Sequence, residues 1–111
     1  MMAKFGLVYI GGGAPENEAE RAATMQAWGA WFGGLGNALV DGGNAFTPNA
    51  TSITSNGTLS NDVKDLRVTG YSIVKADSLD AAVALAKDCP LLRSGSRGQI
   101  TVYEVDETLA M

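Results

Sequence analysis

The run Thr69-Gly70-Tyr71-Ser72-Ile73-Val74-Lys75-Ala76-Asp77-Ser78-Leu79 decides the fold, because it passes directly from a β-rich stretch into a helix start. Its β-branched and aromatic residues suit a pleated strand over 69–75. Asp77 or Ser78 then supplies the side-chain oxygen that caps a helix. Beyond the cap, Leu79, Val83, Ala86 and Cys89 recur at helical spacing as a core-facing stripe, and Pro90 ends the helix because it forbids continuation. Gln99-Ile100-Thr101-Val102-Tyr103-Glu104-Val105 alternates as a closing strand.

The N-terminal half opens in the same order. From Lys4 to Ile10, Phe5, Leu7 and Tyr9 alternate with Gly6, Val8 and Ile10. Both faces are therefore apolar, as in a central strand covered on two sides. Gly11-Gly12-Gly13-Ala14-Pro15 breaks that strand, and Pro15 suits a first helical turn because its missing N–H would be unpaired there anyway. Glu16, Glu18 and Glu20 favour the positive end of the helix dipole. Ala22, Met25, Trp28, Gly29, Phe32 and Leu35 predict one apolar stripe, and Gly33, Gly34 and Gly36 place the helix stop near Leu35. Leu39-Val40-Asp41-Gly42-Gly43 reads as a short strand running into glycines. Asn56-Gly57, between 50–55 and 58 onward, predicts a hairpin with a type I′ turn.

With 111 residues there is room for one domain, spanning 1–111. A hydrophobic share of 46% against 18% charged residues is the balance of a folding chain rather than of disorder. A domain of this size buries only about two-thirds of its unfolded surface, so association through an apolar sheet face would add stability. Eight Lys and Arg against twelve Asp and Glu give a net charge of −4 without a basic run, which argues against nucleic acid and anionic membrane as partners. The single Cys89 excludes an intrachain disulfide and points to a reducing cytoplasm. The apolar run at 5–10 is too short to span a bilayer and lacks a cleavage region. The sequons at Asn49 and Asn56 read as ordinary turn and strand residues.

Four phrases resemble consecutive blocks of the YCII-related family, including its DGPF-containing group: Leu7-Val8-Tyr9-Ile10-Gly11-Gly12, Trp28-Gly29-Ala30-Trp31, Val40-Asp41-Gly42-Gly43, and the long run from Gly70 to Ala82. The resemblance covers nearly the whole chain in order. It implies an α+β, ferredoxin-like βαββαβ fold with an antiparallel sheet, which pairs face to face with a second copy as a dimeric α/β barrel. The hairpin near 50–60 would be an addition to that plan. In place of the DGPF motif the chain has Asn61-Asp62-Val63-Lys64-Asp65-Leu66-Arg67, and it has no histidine. The His and Asp pair that the resemblance suggests for the family's cleft is therefore incomplete here, and any mechanism needing imidazole is excluded.

Asp41 is the leading candidate for chemistry, because a carboxylate before a double glycine at the end of an apolar strand could accept a proton or hold a polar ligand. Its alternative is a turn Asp bonding the amides of Gly42 and Gly43. Trp28 and Trp31 lie on adjacent helical faces and could line a pocket or both pack in the core. Tyr9 and Tyr71 could offer phenol donors to a carbonyl or enolate, or stand as β-favoured aromatics at the sheet rim. Arg93 and Arg97 could meet a substrate carboxylate or be solvated loop charges. The Gly11-Gly12-Gly13 run lacks the phosphate-loop patterns, and Glu16, Glu18 and Glu20 would repel an anion. Cys89 has no base to activate it, and without His no metal site is expected. No cofactor is expected either.

Three functions fit these residues. The first is a dimer binding a small apolar or aromatic molecule in a cleft around Asp41. The second is a cofactor-free lyase or isomerase using Asp41 as acid or base. The third is an interaction module whose cleft is filled by its own side chains.

Overall fold

A computed structural model describes residues 2–12, 16–61, 67–93 and 97–109. Its elements run β1 (Ala3–Ile10), α1 (Glu18–Leu35), β2 (Leu39–Asp41), β3 (Ser52–Ile53), β4 (Leu59–Ser60), β5 (Val68–Ala76), α2 (Leu79–Ala86) and β6 (Gln99–Glu104). Four strands form one antiparallel sheet in the order β2-β5-β1-β6. Each helix thus links two strands with a third lying between them, an arrangement compatible with a ferredoxin-like fold.

The expected central strand is β1, paired with β5 on one side and β6 on the other. Its alternation sends Phe5, Leu7 and Tyr9 toward the helices, where they meet Ser72, Val74 and Ala76 of β5 and Trp31, Ala82, Ala86 and Cys89. The opposite face carries Gly6, Val8 and Ile10 of β1, flanked by Tyr71 and Ile73 of β5 and by Thr101 and Tyr103 of β6. The molecule measures 44 × 41 × 20 Å, and its short dimension is that of two layers, so among the described residues no third layer covers this second face. Lys4 and Lys75 stand opposite each other at one end of it.

Local chemistry sets the helix boundaries, with two departures from the expected stripes. Helix α1 starts at an Asn17 cap whose side chain accepts from Glu20 N at 2.8 Å, while the Glu20 carboxylate accepts from Glu16 N, a reciprocal arrangement that satisfies end amides. Pro15, expected in the first turn, lies outside the described residues. The expected face holds only for the second half of α1, where Trp28, Phe32 and Leu35 pack on the core beside Trp31. Ala22 and Met25 are exposed, because the first half carries no apolar side chain large enough to reach the sheet except Met25, which points outward. Helix α2 is capped by Ser78, as read from the sequence. Its buried stripe is Ala82, Ala86 and Cys89 rather than one beginning at Leu79, which is exposed. Small alanines there allow the helix to lie close against the sheet.

The hairpin near 50–60 forms as β3 and β4, but by a different turn. A type I′ turn needs positive φ at both central residues. Here only Gly57 has it, at 86°. The loop closes through Thr54 N to Thr58 O and Gly57 N to Thr54 O, and the Asn56 side chain accepts from Thr58 N. Asn56 is held in ordinary backbone space by its own side-chain bond, and the left-handed residue falls one position later.

Candidate functional site

The site arises where edge strand β2 leaves its neighbour. Two residues of β2 span one step of β5 between Leu39 and Asp41, a bulge that turns the chain out of register. After Gly42 and Gly43 the chain returns to β5: Tyr71 N donates to Asn44 O, Ala45 pairs with Gly70, and Phe46 N donates to Thr69 O. The return is tight. Gly43 has φ +73°, and a Cβ there would stand 1.8 Å from the Tyr71 carbonyl oxygen, so only glycine fits.

Beneath this break, on the helix side of the sheet, is a cavity of about 340 Å³. Tyr9, Trp28 and Phe32 supply its rings, the segment 42–45 forms one wall, and Thr69, Gly70, Tyr71 and Leu91 complete it. Trp28 stands edge-on to Tyr9 at 5.1 Å between ring centres and lies 5.7 Å from Phe32. No charged side chain among the described residues lines it.

Hydrogen bonds fix one peptide unit in the wall from both ends. The Gly42 carbonyl accepts from Ser72 Oγ at 2.7 Å, and Ser72 in turn accepts from the buried Tyr9 hydroxyl at 2.6 Å. The amide of Gly43, the other half of that unit, donates to Asp41 Oδ1 at 2.8 Å. Burial pushes the Tyr9 phenol up to about 12, so it remains a proton donor to Ser72 at neutral pH. Burial likewise pushes the Cys89 thiol up to about 11, the reverse of what a nucleophile needs.

Of the candidates read from the sequence, Tyr9, Trp28, Gly42, Gly43 and Tyr71 come together around this cavity. Asp41 does not line it. Its carboxylate is exposed and holds Gly43 in the turn that shapes the wall. Trp31 belongs to the core, 8% exposed, with its indole N–H donating to Leu85 O at 3.2 Å. Arg93 is exposed and does not line the cavity; it borders two grooves beside the helices, one of which shares Trp28 and Leu91 with the cavity. Several contributors escaped the sequence reading as site residues, among them Phe32, Ser72 and Asn44. Phe32 sat on the recognised stripe one turn from Trp28. Ser72 had a legible signal, a hydroxyl at an inward position of a strand whose other inward residues are apolar. Asn44 gave no signal beyond following two glycines.

Among the described residues no group of His, Cys, Asp and Glu could hold a metal ion. No helix among them is long and apolar enough to cross a membrane. No family model and no curated protein matches the chain.

Proposed function

We propose that this α+β protein binds a small aromatic molecule in the cavity under the Gly42–Gly43 break, as a dimer of the YCII-related kind. The carrying observation is an uncharged, ring-lined cavity of about 340 Å³, at the small end of the range for ligand sites, beside which the wall is fixed by hydrogen bonds. The cavity is not filled by the chain's own described side chains, which supports binding over a purely structural role. A thermal-shift screen of neutral aromatic compounds tests the reading. It predicts a saturable rise in Tm that is lost when Trp28 is replaced by alanine. Shifts that persist in Trp28→Ala, or no saturable shift at all, refute it.

Dimerisation is supported by the uncovered apolar face around Val8, Ile73 and Tyr103. Two such faces packed together would close a barrel and remove that surface from water. Sedimentation equilibrium tests it: the wild type is expected to be dimeric and Val8→Arg monomeric, whereas a monomeric wild type overturns the pairing. An acid/base role for Asp41 is the competing reading. It requires a carboxylate free to exchange protons with a ligand, while this one is engaged with Gly43 outside the cavity wall.

A further inference from the structure

The segment between β2 and β5 carries an inference about how two copies associate, one that rests on the dimer reading above. Every residue from Asn44 to Asn61 is exposed, and no charged residue occurs from Gly42 to Asn61, although 18% of the chain is charged. An exposed ribbon is ordinarily protected by charges against pairing with other chains. This one shows apolar groups instead. Ile53 and Leu59 stand directly opposite each other across β3 and β4, 72% and 63% exposed, and Phe46 is exposed at the ribbon's base. Bare apolar side chains without charge are the composition of an interface centre rather than of a solvated loop.

The ribbon also stands off its own domain. Among the described residues β3 and β4 pair only with each other, and two strands of two residues each do not hold a structure in water by themselves. The Cα radius of gyration is 15.3 Å, against about 13 Å for a compact chain of this length. The chain exposes 8087 Å², where a compact monomer of 11.5 kDa exposes about 5,800 Å². That surplus, roughly 2,300 Å², exceeds the about 800 Å² that each partner buries in a standard interface.

The root of the ribbon sets it on the uncovered side of the sheet. Ser72 points inward, so Tyr71 shares the outer face with Val8 and Ile73. The Phe46 ring packs on the Tyr71 ring at 5.9 Å between centres, and Asn44 Nδ2 donates to Tyr71 Oη at 3.3 Å. From Phe46 to the tip at Asn56 and Gly57 an extended chain reaches up to about 33 Å. A sheet of four strands is roughly 15 Å across.

We propose that 44–61 is a clasp: Phe46, Ile53 and Leu59 pack against the margin of a second copy's outer sheet face, and that copy's ribbon returns the contact in a closed two-fold pair. A second copy is the occupant because this chain itself supplies both bare surfaces, the ribbon and the face around Val8, Ile73 and Tyr103, side by side, with surface enough for the pair.

Mixed dimers of isotope-labelled and unlabelled wild-type chains test this through NOEs filtered for contacts between chains. Contacts from the Ile53 and Leu59 methyl groups to the unlabelled chain are expected, and contacts confined to their own chain overturn the clasp. In sedimentation equilibrium the double variant Ile53→Thr, Leu59→Thr, which keeps β-favoured residues at exposed positions, should dimerise at least about a hundredfold more weakly, because a two-fold pair loses each side chain twice. Wild-type affinity in this variant overturns the clasp and leaves face-to-face pairing standing, whereas a monomeric wild type overturns both. Wild-type assemblies that grow beyond the dimer overturn the closed pair. The NOE experiment decides the matter even if the double variant fails to fold.

Discussion

Replacing Asp41 by alanine and, separately, by asparagine distinguishes a carboxylate that shapes the site from one that does chemistry. The carboxylate accepts from Gly43 N at 2.8 Å, and Ser72 holds the other end of the same peptide unit at 2.7 Å. Asp41→Ala removes one of these two anchors. A single hydrogen bond of this kind is worth about 1 kcal/mol net, and up to about 2 with a charged acceptor. For a chain of this length that is a fall in Tm of about 4 to 8 °C. Asp41→Asn keeps an oxygen in the accepting position and loses only the charge of an exposed group, so its cost should stay within about 0.5 kcal/mol. Thermal and urea unfolding measure the stabilities. Hydrogen exchange at the Gly43 amide reports the anchor itself: fast in the alanine variant, near wild type in the asparagine variant. Aromatic probe binding should follow the same order, since the wall is disturbed only when the acceptor is lost. An asparagine variant as impaired as the alanine variant in stability, exchange and binding would refute this reasoning, because the charge rather than the acceptor would then be what matters.

Gly43→Ala should be more damaging. Its φ of +73° disfavours a side chain by about 1 to 2 kcal/mol, and a Cβ 1.8 Å from the Tyr71 carbonyl must push the 43–45 segment off β5. Loss of the Tyr71 N to Asn44 O bond, read as faster exchange of the Tyr71 amide, should accompany a drop of more than about 2 kcal/mol in unfolding free energy, and a drop under about 0.5 kcal/mol would count against the tight return. Tyr9→Phe should change the alkaline limb of stability. The folded phenol is pushed from 10.0 up to about 12 by burial, so the folded state resists ionisation that the unfolded chain allows. The stability tied to the neutral phenol is fully present below pH 10 and is lost as pH rises from about 10 to about 12. The difference in urea midpoint between wild type and Tyr9→Phe should therefore be flat up to about pH 9.5 and shrink or reverse above it, and a difference constant to pH 12 would show that the phenol is not buried as described.

The sequence by itself determined the elements that depend on neighbouring residues. Alternation over 4–10 and 69–75 marked strands with one inward set each, Ser78 capped the second helix, which ends at Ala86 ahead of the expected Pro90 stop, and Gly36 ended the first. These outcomes rest on backbone geometry and local hydrogen bonding, which a short window contains. The first half of α1, with Met25 exposed on the expected stripe, shows where periodicity stops: spacing gives a face, but only tertiary placement says what lies opposite it. The candidate site was legible in its parts and not in its logic. Tyr9, Trp28 and Tyr71 were visible as aromatics near glycines, yet they are far apart in sequence, and only the pairing of β1 with β5 brings them to one cavity. The role of Asp41 needed the same information. A carboxylate before two glycines is compatible with catalysis and with a turn, and its bond to Gly43 is local; what the sequence could not show is Ser72, thirty residues away, holding the Gly42 carbonyl at the other end of that peptide. Local sequence sets what a residue can do, and the long-range register of the sheet decides which of those things it does.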